Sequence, residues 1–254
     1  FIQIPSSLPR LLLYKLDASP PSCAVMMLAD ILGLKMDYKE TDLLKLEHKT
    51  DEFKKNLKMR LHMSNMSPFM LIIILNFIAY LYIIFDISVL ISSIFFSHSI
   101  IKYLLNKYGG DHKERLYPSD VKTRSKIDTC LFFDASVLFI RLKVILPTIL
   151  HGYPGPTPEQ LSDIDDAYSV LEAYLKNSKY IAANHLTIAD LSLGSTASAL
   201  QAIHKLDENK FPRSAGWLAL INNESYFKKI TAPGVAIFSK ILNMFWEKNQ
   251  NKGL

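Results

Sequence analysis

The chain has 254 residues, 49 % of them hydrophobic, a net charge of +5 and a pI near 9.0. That length holds one large domain or two small ones, with ample material for a core. The positive excess comes from lysines spread over residues 45–58 and 240–252, and without an Arg-rich run interleaved with aromatics it describes a solvated face, not a nucleic-acid surface.

Two cysteines, Cys23 and Cys130, stand far apart and form no C-x-x-C pair. They exclude a disulfide framework and give no zinc or redox motif, so they are expected as reduced thiols, and no metal is implied. Residues 1–7 lack the basic region of a signal peptide and are read as a fragment start or translated leader.

Residues 11–16 form a short apolar run ending in the turn chemistry of Asp17 to Ser19, and are expected to be a strand. Pro20 and Pro21 suit a first helical turn, the helix should reach about Leu32, and Gly33 is placed to end it. Residues 37–42 alternate as a second strand. Strand, helix and strand within about thirty residues predict a parallel βαβ unit.

Residues 57–96 differ in character. They contain no Gly, one Pro (Pro68), the basic residues Lys58 and Arg60, and one acid, Asp86. Ordinary patterning resumes at Ser97, a candidate cap for a helix with Ile100, Ile101, Leu104 and Leu105 on one face. Gly109 and Gly110 stop that helix, and the polar stretch to Pro118 reads as an interdomain linker.

The remainder is expected to be helical. A long helix starts at Ser119 or Asp120 and reaches about Leu150, bent near Pro147. Thr157 and Gln160 form a capping box with Pro158 at the first helical position, and that helix reaches about Asn177. Thr187 and Asp190 repeat the box, with Leu186 and Leu191 spaced as a hydrophobic staple. Further helices are expected near residues 211–222 and 235–248.

Several runs together resemble insect cytosolic glutathione S-transferases of the delta/epsilon kind. LLLYKLDASPPSCAV (residues 11–25) is similar to the first strand, catalytic loop and first helix of that family, and YKLDASPP with Ser97-His98 leans towards epsilon. DLLKLEHKTDEF (42–53), SHSIIKYLLNKYG (97–109), YPSDVKTRSKIDTCLFFDASVLF (117–139), YIAANHLTIADLSL (180–193) and FPRSAGWL (211–218) match later segments in order. The resemblance implies a thioredoxin-like α/β domain over residues 8–110, interrupted at 57–96, followed by an all-helical bundle over 117–250.

It also implies a function, transfer of glutathione to small hydrophobic electrophiles for detoxification, in the cytoplasm and as a homodimer. Ser19 stands where the catalytic serine lies, so its hydroxyl would stabilise the glutathione thiolate. His48 matches a glutathione-contacting histidine and would hold the glycine carboxylate. Ser97 and His98 would receive the γ-glutamyl end at a helix N-terminus. Leu142, Leu146 and Leu150 recur at a four-residue spacing and, with Phe238 and Phe245, are candidates for the electrophile's pocket, with ordinary core packing the alternative for each. Thr187 and Asp190 are structural.

The family pattern stops at Asn56, where Leu57 replaces an expected proline, and Phe96 stands where an acid usually precedes the serine. The block between admits three readings: a membrane span at residues 69–85, a non-homologous insertion such as retained intron sequence, or divergence into apolar strands. A span would set the two matching flanks on opposite faces of a membrane, and the Ile/Phe/Tyr/Asn-rich composition favours the insertion. Loss of the segment that pairs with the cysteinyl part of glutathione leads to an expectation of weakened conjugation. A glutathione-binding protein without turnover and a membrane-associated relative are the alternatives.

Overall fold

The computed structural model describes residues 11–41, 97–142, 148 and 151–251. The block at 57–96 with its candidate span at 69–85, His48, Leu146 and Leu150 lie outside them. No helix among the described residues is long and apolar enough to cross a membrane.

β1 (Leu11–Lys15) pairs in parallel with β2 (Met36–Glu40), Leu13 opposite Tyr38, and α1 (Pro20–Ile31) makes the crossover. The proline pair occupies the first turn of α1, where a missing N–H is harmless. Gly33 follows the helix at φ +63°, the left-handed conformation that closes a helix end and that other residues adopt at a penalty. The expected βαβ unit is therefore present.

α2 (Ser97–Tyr108) buries Ile100, Ile101, Leu104 and Leu105 completely. The stretch read as a linker instead contains a short helix, α3 (His112–Leu116), because the fully buried Leu116 draws it onto the core. α4 (Val121–Phe133) starts at Asp120, whose carboxylate accepts from the Thr123 amide at 2.8 Å. The long helix expected here is not regular: at Asp134–Leu138 it widens into a π-helical turn before α5 (Phe139–Arg141).

α6 (Pro158–Tyr174) runs into a 3₁₀ turn at Leu175–Asn177. Its capping box is formed: the Gln160 amide donates to Thr157 Oγ1 at 3.2 Å, and the Thr157 amide donates to Gln160 Oε1 at 2.8 Å. α7 (Ile188–Leu200) follows, then α8 (Pro212–Asn222), a π-helical turn at Phe227–Thr231, and α9 (Ala232–Gln250).

All thirteen residues of α7 are buried. α1, α4, α8 and α9 pack around it, so one hydrophobic core runs from Leu11 and Leu28 of the α/β part to Ile221 and Leu242 of the helical part. Each fully buried leucine or isoleucine contributes roughly 1.5–3 kcal/mol relative to exposure.

A helix start so placed cannot use water, and Asp190 replaces it. Its Oδ1 accepts from the Ile181 amide at 2.9 Å and from Trp217 Nε1 at 3.0 Å, and its Oδ2 accepts from the Thr187 amide at 2.8 Å and Thr187 Oγ1 at 3.0 Å. Burial pushes this carboxyl above the ordinary aspartate range, and the four donors pull against that. Glu172 plays a similar part for α8 from outside it. Its carboxylate accepts from the amides of Arg213 and Ser214, from the Ser214 hydroxyl and from the Arg213 guanidinium, at 2.8–3.1 Å.

Two outcomes follow. Asp190→Ala strands four buried donors, so stability measured by urea unfolding should fall by about 3–5 kcal/mol; a midpoint matching the parent would refute the capping role. At Glu172, burial alone would raise the carboxyl, but the bonds from Ser214 and Arg213 outweigh it and hold the group below the usual range. A depressed native value stabilises the fold above the ordinary glutamate range and is lost as pH falls through that value. Thermal midpoints of Glu172→Gln should therefore drop at pH 7 and converge on the parent in acid.

Candidate functional site

Ser19 is the N-cap of α1, with extended backbone at φ −100° and ψ 118°. Its amide donates to the Leu16 carbonyl and its carbonyl accepts from the Cys23 amide, both at 3.0 Å. The Leu16 amide donates in turn to Ser22 Oγ at 3.3 Å. The loop is thus tied to the first turn of the helix that follows it.

The Ser19 side chain does not cap that helix. It is 1 % exposed, and its Oγ has no hydrogen-bond partner among the described residues. A buried hydroxyl without a partner loses the hydration it had in the unfolded chain, so such a group is uncommon unless a ligand completes it. It also stands at the positive end of the α1 dipole, where an anion is favoured.

Ser97 is the first residue of α2, is buried, and α2 packs against α1. The two helices that begin at Ser19 and Ser97 are neighbours. His98 turns towards the helical part. Its Nε2 lies 2.7 Å from Ser192 Oγ and 3.1 Å from Asp134 Oδ2, while Ser192 Oγ donates to the same Asp134 oxygen at 2.5 Å. With Ser192 donating to Asp134, the consistent arrangement is a proton on Nε2 shared between them. This network ties the start of α2 to the π-helical turn and to the buried helix α7. Asp134 Oδ1 has no hydrogen-bond partner among the described residues.

Leu142 is fully buried and Phe238 is 6 % exposed; both belong to the common core. Phe245, on α9, is half-buried. Thr187 and Asp190 form the cap described above. A cleft of about 510 Å³ does open between the α/β and helical parts, over Met26, Leu34, Met36 and Pro233 and rimmed by Lys15 and Lys229. Ser19, Ser97, His98, Leu142 and Phe238 do not line it.

Asp134 and Ser192 carry no motif in the sequence that marks them as a pair. The available signals were an acid within the apolar run FFDASVL and a serine on a helix otherwise reading as core.

A family model described as the glutathione S-transferase C-terminal domain matches residues 144–224. Glutathione S-transferase 1 of Manduca sexta is 34 % identical over 225 residues, covering 87 % of this chain and 92 % of the moth protein. Among solved structures, an epsilon-class glutathione S-transferase from the housefly Musca domestica superposes with a TM-score of 0.73 at 27 % identity, covering 92 % of this chain and 97 % of that one. A glutathione transferase homologue from a Drosophila species, solved with bound glutathione, superposes with a TM-score of 0.72 at 27 % identity, covering 92 % and 96 %. With its βαβ unit, its helical bundle and this shared sequence, the chain belongs to the glutathione S-transferase family, in the insect delta/epsilon group.

Proposed function

We propose that the chain conjugates glutathione, as its thiolate, to small hydrophobic electrophiles. The observation that carries this reading is the Ser19 hydroxyl, buried at the start of α1 and without a partner among the described residues. A free thiol titrates near pH 8.5, so little of it is nucleophilic at neutral pH. Donation from Ser19 Oγ to the sulfur, with the α1 dipole behind it, favours the thiolate. The sulfur then attacks the electrophilic carbon; an S–C bond forms and the leaving group departs with its electron pair.

The N–H groups at the start of α2, with Ser97, receive the γ-glutamyl carboxylate. His48 holds the glycine carboxylate by a charge-assisted hydrogen bond. His98 acts by fixing the α2 start through Asp134 and Ser192, which replaces the direct contact expected from sequence. Leu146 and Leu150 are assigned to the electrophile's site, and Leu142 and Phe238, buried in the common core, to its support. A homodimer in the cytosol completes the reading.

Ser19→Ala should lower turnover of a model aryl halide by about 10²-fold while glutathione affinity, followed by calorimetry, stays near the parent value; undiminished turnover would overturn the assignment. His98→Ala removes network bonds of about 1–1.5 kcal/mol, so KM for glutathione should rise roughly tenfold with kcat largely kept. A parent chain that binds glutathione and turns over no electrophile would instead favour the ligand-binding alternative.

A further inference from the structure

Gly234 is the third residue of α9 and is buried. Its φ is not positive, so conformational freedom does not explain the glycine. Space does. A β-carbon at this position would overlap the carbonyl oxygen of Asp17 and come within 3.3 Å of the Asp17 carbonyl carbon and 3.1 Å of Cys23 Sγ. The backbone of the last helix therefore touches the backbone of the β1–α1 loop two residues before Ser19.

The contact belongs to a longer seam. Lys229 pairs with Asp30, Thr231 Oγ1 donates to Met27 Sδ at 3.3 Å, and Gly234 meets Asp17 and Cys23. Numbers rise along one partner as they fall along the other, so this segment runs antiparallel to α1 and reaches its N-terminal end at Gly234. There the Asp17 carbonyl is held a second time, by a hydrogen bond from Cys23 Sγ at 3.3 Å. Burial pushes the Cys23 thiol up to about 12, so it stays protonated and remains a donor at neutral pH.

We propose that Gly234 and Cys23 clamp the Asp17 carbonyl and thereby set where the Ser19 hydroxyl stands, which makes Gly234 a positioning residue for the glutathione thiolate. The inference rests on the reading of Ser19 given above. A methyl group at 234 must either push the loop or lift α9 from it. Either movement shifts Ser19 Oγ by tenths of an ångström, and a hydrogen bond to developing charge is sensitive to shifts of that size. The contacts assigned to the two ends of glutathione lie on other segments and are untouched.

The test is the titration of glutathione bound to the full chain, followed by thiolate absorbance, alongside kcat and KM as functions of pH. Gly234→Ala should move the thiol titration up by about one pH unit, a tenfold loss of thiolate below it, with KM for glutathione within about twofold of the parent. A lowered melting temperature with an unmoved titration would overturn the proposal. If Gly234→Ala does not fold, Cys23→Ala decides: it should shift the titration in the same direction and Cys23→Ser should restore it, whereas coincident curves for Cys23→Ala and parent would overturn the clamp. Ser19→Ala separates the two readings. An unmoved titration there removes the Ser19 assignment, while a moved one beside unmoved Gly234 and Cys23 variants removes only the clamp.

Discussion

A helix buried on all sides can exist only if the polar groups at its start find partners other than water. In this chain the Asp190 carboxylate takes the amide and hydroxyl of the N-cap residue Thr187, and the rest of the molecule is arranged about the helix so started. Asp190 also takes the amide of Ile181 and the indole of Trp217, so the same two oxygens fix the approach of the preceding loop and of α8. Once α7 stands, α1 can lie against it, and the α/β part acquires a wall that the two described strands and α1 could not supply by themselves.

The candidate site is a product of that contact. Ser19 caps the helix that packs on α7, and His98, second residue of its neighbour, reaches Ser192 on α7 itself. Two helix N-termini are thereby referred to one rigid element. Positive helix ends and a hydroxyl without a partner among the described residues suit an anionic, sulfur-bearing ligand better than a neutral one. The helical part thus sets the positions from which the α/β part works.

Much of this was legible in the sequence where the physics is local. Proline in a first turn, glycine past a helix end and the Thr157–Gln160 and Thr187–Asp190 boxes involve residues at most four apart, and each is formed. The rest depends on encounters between distant segments. Trp217 is 27 residues from the carboxylate it satisfies, and Ser192 is 94 from the histidine it binds. The π-helical turn at Asp134 has no local signature; it widens the helix where the acid must reach Ser192 and His98. Gly234 reads in sequence as an ordinary helix-start residue, and only the approach of the Asp17 carbonyl shows why a side chain is excluded.

The burial of the two cysteines has one further consequence. Cys130 lies in the core of the helical part and Cys23 in the first turn of α1, and burial pushes both thiols up to about 12. A protein that handles alkylating compounds risks being modified by its own cargo. Thiols held protonated and out of reach are poor targets for such compounds. Nucleophilic sulfur is then confined to the ligand, which is released with the product, and the catalyst survives the chemistry it performs.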